Sequence, residues 1–226
     1  MSDPDRRTLL ATGLAASAAL GLPVAAQTQT ATFTPQALPF DPATITGLSA
    51  RLLTSHHDNN YVGAVKRLGA ITSEFGKLDP ATAPGFVLNG LKREELVAWN
   101  SMILHELYFA GLGAPTRPGA LLAAAIERDF GSQARWATEF SAMGKALGGG
   151  SGWVLLSWSE RDRRLVNQWA ADHTMALAGA TPLLALDMYE HAYAMDYGAK
   201  AGAYVDAYMK AINWASADRV FKSRAS

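Results

Sequence analysis

Apolar side chains recur at helical spacing over the first half of the chain. Leu48, Leu52, Leu53, Val62, Val65 and Leu68 fall at intervals that turn one face of a helix toward a core. A polar stretch from Thr54 to Asn60 sits among them, and Gly47-Leu48-Ser49 opens the pattern. Lys77 to Gly85 carries prolines and predicts a break. A second helix is expected from about Lys92 to Phe109, charged at its start and apolar later, with Gly111-Leu112-Gly113-Ala114-Pro115 to stop it. Pro118 to Asp129, closed by Gly131, and Ala134 to Leu147 read as two further helices.

The pattern then changes. Gly148 to Gly152 is too rich in glycine for anything but a loop, and Trp153 to Trp158 follows as a first strand. Arg161 and Asp162 belong to a hairpin turn, and Arg164 to Ala170 is a second strand. Thr181 to Leu186 is a short apolar run, read as a buried third strand. A helical region around Tyr189 to Tyr193 and a last helix from about Ala203 to Phe221 complete the chain. The predicted fold is α+β: an N-terminal α-helical hairpin (37–114), then an α/β domain (115–226) with a small three-stranded antiparallel meander. The joint is expected near Gly113 to Pro118. Ahead of the hairpin, Leu38-Pro39-Phe40-Asp41-Pro42 is extended, because each proline biases its predecessor away from helix.

Residues 1–27 look like an address rather than part of the fold. Arg6-Arg7 precedes a weakly apolar run from Leu9 to Leu22, and Val24-Ala25-Ala26 suits cleavage before Gln27. The run is short for a membrane span, and the arginine pair followed by Thr8-Leu9-Leu10 resembles a twin-arginine signal. An ordinary secretory signal or an uncleaved anchor fits the same composition. The expectation is export to the periplasm, a flexible leader over 28–36, and no stable membrane association after cleavage.

Charge and composition remove several function classes. Lys+Arg and Asp+Glu both number 20, so no basic footprint for nucleic acid is present. Cysteine is absent, which excludes disulfide scaffolds, thiolate metal sites and cysteine nucleophiles. No G-x-S-x-G is present, and Gly148 to Gly152 lacks the Lys-Ser/Thr of a phosphate cradle. Any bound metal must therefore use nitrogen and oxygen ligands. The histidines are His56, His57, His105, His173 and His191. His56 and His105 fall on helical faces that otherwise look buried. Asp187 ends an apolar strand and His191 follows four residues later; a buried carboxylate there is costly unless paired or bound to a cation. Neutral imidazoles with one carboxylate suit iron, manganese, zinc or a similar divalent metal. Each piece also has a plainer reading: His56-His57 as a polar stripe, His105 as a satisfied core histidine, D-x-x-x-H as chance spacing.

Read in order, the segments resemble the iron/manganese superoxide dismutase family. Asp187-Met188-Tyr189-Glu190-His191-Ala192-Tyr193 is similar to its D-x-W-E-H-A-Y signature, and Gly150-Ser151-Gly152-Trp153 to its G-S-G-W loop. His105-Glu106-Leu107-Tyr108-Phe109 resembles H-x-x-Y-W, Ala37-Leu38-Pro39-Phe40 resembles A-L-P-Y, and Asn213-Trp214 resembles the N-W of the last helix. The likeness runs from about Ala37 to Phe221. It implies one Fe or Mn ion per subunit, held by His56, His105, Asp187 and His191. It implies that His173, in Asp172-His173-Thr174, hydrogen-bonds the metal's solvent molecule, with the small Ser101 opposite leaving room. Trp153, Tyr108 and Phe109 would wall the site, leaving His57 as a surface residue. Glu190 would reach across a homodimer. The implied reaction is dismutation of superoxide to dioxygen and hydrogen peroxide.

The chain departs from the family at one place. The gateway tyrosine aligns with Ala64, the gateway histidine with Asn60, the latter's cross-subunit tyrosine with Ala194, and the signature tryptophan with Tyr189. Tyr61, displaced by one turn, is a candidate catalytic replacement for the lost tyrosine. The rival expectation is a metal-binding homologue with little dismutase activity or a different redox substrate.

Overall fold

The computed structural model describes residues 32–225, so the expected export signal and residues 28–31 of the leader lie outside the described residues. Ser49 caps the first helix: its Oγ accepts from Leu52 N at 3.0 Å. Asp196 takes both Ser49 N and Ser49 Oγ, each at 2.7 Å. Helix α1 (Ala50–Ser55) runs into a π-helical turn, His56–Tyr61, and on into α2 (Val62–Phe75). Helix α3 (Gly85–Ala110) folds back along α2 and starts one to two turns earlier than the sequence suggests. Leu68, Ile71 and Ala98 form a small cluster between the two, joined by Phe33 and Met102.

Helix α4 (Ala120–Phe130) ends on Gly131, whose φ of 84° is left-handed and open to glycine. Helix α5 (Gln133–Ala146) starts on Ser132, whose side chain accepts from Arg135 N. The sheet comprises β1 (Trp153–Ser159), β2 (Arg164–Ala170) and β3 (Ala180–Asp187). Its strands are antiparallel as expected, but the order β2-β1-β3 is not the expected meander, which would centre β2. Burial explains the difference. Every residue of β1 is buried, whereas β2 exposes Arg164 and Trp169 and fits an edge. Between Leu156 and Ser157 of β1 the partner on β3 jumps from Leu184 to Pro182, so Leu183 is bulged. Pro182 has no N–H for a regular ladder, and the bulge falls beside it.

After β3 the expected helical region is only a 3-10 turn, Glu190–Ala192, and a short α6 (Ala194–Tyr197). The single last helix of the sequence reading is two, α7 (Ala201–Lys210) and α8 (Ala215–Ala225). The break occurs because backbone groups there are used elsewhere. Gly113 N donates to Ala211 O at 3.1 Å, Asn213 N donates to Gly111 O at 2.8 Å, and Leu112 and Ile212 form an isolated bridge. That contact ties the end of the helical region to the α/β region. One large core spans both, with Tyr108, Trp153, Leu184, Tyr204 and Tyr208 at its centre.

Candidate metal centre

Four side chains from three distant stretches meet inside this core. His56 opens the π-helical turn, His105 lies near the end of α3, Asp187 ends β3, and His191 stands in the 3-10 turn. Their nearest donor atoms all lie within 4.8 Å of one another. Asp187 Oδ2 is the focus: His56 Nε2 lies at 3.1 Å, His191 Nε2 at 3.2 Å and His105 Nε2 at 3.6 Å. The first three side chains are sealed from solvent, and His191 is partly exposed. The second oxygen, Oδ1, accepts from Tyr189 N at 2.8 Å, which fixes the carboxylate plane.

One proton can be placed by elimination. His105 Nδ1 lies 2.6 Å from the carbonyl of Ser101, and a carbonyl only accepts, so Nδ1 carries the hydrogen. In the neutral ring Nε2 then has a bare lone pair, and it is a buried atom with no hydrogen-bond partner. Burial drives the His105 pKa down to about 3, so the ring is neutral at physiological pH. Its lone pair faces the lone pairs of Asp187 Oδ2, an arrangement that costs free energy unless a cation lies between them. Burial likewise lowers the pKa of His56 against the opposing pull of Asp187. Burial alone would raise the Asp187 carboxyl, but the His191 and His56 imidazoles against it outweigh this and hold the group well below the usual carboxylate range. Two neutral imidazoles, a third at the rim and one anionic carboxylate form a nitrogen/oxygen set suited to a first-row divalent metal. The donors fit such an ion.

The surrounding residues orient these ligands. His56 Nδ1 has no protein partner; its ring is wedged instead between Tyr108 at 4.9 Å and Phe109 at 5.1 Å. Tyr204 Oη donates to the backbone carbonyl of Asp187 at 2.7 Å and sits 3.4 Å from Tyr108 Oη. Trp153 packs edge-on to His105 at 5.3 Å, and its Nε1–H donates to His173 Nδ1 at 2.9 Å. Indole nitrogen only donates, so Nδ1 of His173 accepts and its proton sits on Nε2. The His173 ring is 6.2 Å from that of His105 and stacks on Tyr189 at 4.8 Å. Tyr189 stacks in turn on His191 at 5.4 Å. Burial lowers the His173 pKa and raises that of Tyr189 to about 12. Ser101 is buried beside His105, with its Oγ 3.4 Å from Nδ1. Glu190 is exposed next to His191.

Two residues are engaged in ways the sequence does not suggest. Tyr61 is not a free side chain. Its hydroxyl donates to Glu106 at 2.9 Å and accepts from Gln36 N at 2.8 Å, and its ring lies against His57 and Phe109. The π-helical turn causes this: Val62 N bonds back to His57 O, five residues earlier, so one extra residue is wound in between His56 and α2. Nor is His57 a free surface residue. Its side chain is only 12% exposed, with Nε2 bonded to Gln36 O and Nδ1 to Asp58. Both residues hold the extended N-terminal strap and line, with Pro39 and Glu106, a cavity of about 210 Å³ beside Phe109. Sequence reasoning also missed Tyr204 and Asp196. Each looks like an ordinary helix residue locally, and nothing nearby in sequence marks its distant partner.

Comparison with known proteins agrees with this geometry. Residues 118–220 match the family described as iron/manganese superoxide dismutases, C-terminal domain. An iron superoxide dismutase of Cupriavidus metallidurans is 68% identical over 174 residues, which is 77% of this chain and 88% of that protein. An iron superoxide dismutase of Aquifex pyrophilus is 33% identical over 181 residues, 76% of this chain and 84% of the relative. A manganese superoxide dismutase of Halobacterium salinarum is 32% identical over 183 residues, 74% and 83% respectively.

Proposed function

The chain belongs to the iron/manganese superoxide dismutase family, and from that premise we infer its reaction and the part each residue takes. It is an oxidoreductase that converts two superoxide ions and two protons to dioxygen and hydrogen peroxide. The observation that carries this reading is the bare, buried Nε2 of His105 facing the same carboxylate oxygen as His56 and His191.

When bound, one iron or manganese ion would supply a one-electron redox couple for the two halves of the dismutation. His56, His105, Asp187 and His191 would hold the ion, and the Asp187 charge would offset part of its charge. Trp153, Tyr108 and Phe109 keep bulk water from the ligands and so strengthen electrostatic effects inside. The second half of the cycle needs protons. His173 holds one at Nε2, because Trp153 occupies Nδ1 from the donor side. The Tyr61 hydroxyl donates to Glu106, which supports a structural part for it at the N-terminal strap. The test is superoxide turnover per bound metal, with iron and manganese loaded separately. Rapid turnover with either metal, abolished together with metal binding by His191→Ala, is the expected result. Full occupancy with negligible turnover under both metals overturns it.

Two further proposals concern setting. The Arg6-Arg7 segment supports export to the periplasm by the twin-arginine route, and fractionation of cells making the full chain tests it. Glu190 is exposed beside a metal ligand and free to meet a second copy, which supports a homodimer. Light scattering on the metal-loaded protein tests that. Among the described residues no helix is long and apolar enough to cross a membrane.

A further inference from the structure

We propose that Asn100 is the positioning residue that sets where His173 stands relative to the metal ligands. The inference rests on the reading of His173 given above. Asn100 Nδ2 donates to the backbone carbonyl of His173 at 2.6 Å, joining residues 73 apart in sequence. Asn100 lies on α3, five residues before ligand His105, and its neighbour Ser101 supplies the carbonyl that receives His105 Nδ1–H. Two consecutive residues of one helix therefore orient the ligand and the proton-holding imidazole. The helix fixes the spacing between them.

The other restraints on His173 do different things. The Trp153 Nε1–H selects its tautomer, and the Tyr189 ring fixes its plane. Bonds within the loop shape it locally: Asp172 Oδ1 accepts from Thr174 N at 2.7 Å and Thr174 Oγ1 at 2.6 Å, and Gln168 holds Met175 O and Leu177 N. None of these bonds reaches α3, whose Arg93 attracts Asp172 only through space. Without Asn100 the carbonyl of His173, in a partly exposed loop, can turn to water while the loop shifts. A proton donor works only within hydrogen-bond reach of its acceptor, and a displacement of about 1 Å can cost up to about a hundredfold in rate.

The test uses the iron-loaded full chain. Asn100→Leu removes the donor at similar size; Asn100→Asp keeps the shape and removes the donor at neutral pH. Both should bind iron fully, lose about ten- to a hundredfold in turnover per metal, and shift the iron midpoint potential in the same direction as His173→Ala. Added to His173→Ala, Asn100→Leu should change neither quantity further, because its effect passes through that ring. Wild-type rate and potential in both Asn100 variants overturn the proposal, and so do effects that add fully to those of His173→Ala. If the parent protein binds iron without dismutating superoxide, the functional reading fails while the potentials of the four-variant cycle still decide the role of Asn100.

Discussion

Gly152 offers a sharp test of how the loop before β1 holds the centre. Its φ is +128°, a conformation open to glycine and costly for other residues. A Cβ built there would fall well inside the carbonyl oxygen of Ala170 and lie 3.2 Å from the carbonyl carbons of Ala170 and Ala171. These atoms are backbone of the paired strand β2 and its end, so no flexible side chain can give way. The Gly152→Ala variant should lose about 1–3 kcal/mol to backbone strain and about 1–3 kcal/mol more to crowding. The sum is about 2–6 kcal/mol, which for a chain of this size lowers Tm by at least about 4 °C. Gly149→Ala is the control, because its φ is +82° but its Cβ meets nothing within 4 Å, so it carries the strain without the crowding. Urea unfolding of both variants, followed by tryptophan fluorescence, separates the two contributions. Turnover should fall too, because Trp153 is the next residue and Gly152 O accepts from Met188 N at 2.9 Å beside Asp187. A Gly152→Ala protein no less stable than Gly149→Ala would refute the reasoning.

Other outcomes follow from single groups. Tyr204→Phe removes the donor to Asp187 O and a neighbour of Tyr108 Oη in a fully buried place; it should cost about 1–3 kcal/mol and weaken metal retention, read by chelator competition. Tyr61→Phe should cost about 1 kcal/mol through the strap yet keep its metal and turnover per metal, and a large loss of turnover would restore Tyr61 to the catalytic machinery. Asp129 is raised by burial, but its bonds from Arg128 and Leu165 N outweigh this and leave its pKa below the usual value. A depressed folded pKa stabilises the protein above the unfolded pKa, about 3.9, and that gain is lost as pH falls through the folded value. Asp129→Asn should therefore be less stable by about 1–3 kcal/mol at pH 7, with the gap closing only below about pH 4 in urea titrations across pH.

Much of the candidate metal centre was legible through the family resemblance, and burial patterns alone left each residue a plainer reading. Asp187 at the end of an apolar strand and His105 inside an apolar helix stand out as polar groups in buried patterns, but only the ordered set of motifs joined them into one site. Strand boundaries were legible locally: the Gly148–Gly152 run and the Arg161-Asp162 turn bracket them. Strand order was not, because β1 and β3 both read as buried apolar runs and the pairing that joins them, across the whole of β2, leaves no local mark. The π-helical turn was equally hidden. One extra residue per turn changes no apolar spacing that a short polar stretch could reveal, yet it decides where Tyr61 points. The split between α7 and α8 depends on Leu112 and Ile212 finding each other across a hundred residues, and no window of sequence contains both.

The centre also joins two parts of the molecule. His56 and His105 come from the helical region, Asp187 and His191 from the α/β region, and the exposed segment 114–117 links the two. An ion held by these four side chains would be a latch across the joint. By mass action an ion at about a thousandfold over its dissociation constant holds the joint shut by about 4 kcal/mol, on top of the shared core. His191 is the one partly exposed member of the set, so release at that rim and opening of the joint would be separate routes for the ion. A chain cut within 114–117 should hold together through the shared core and unfold at lower denaturant once the metal is stripped.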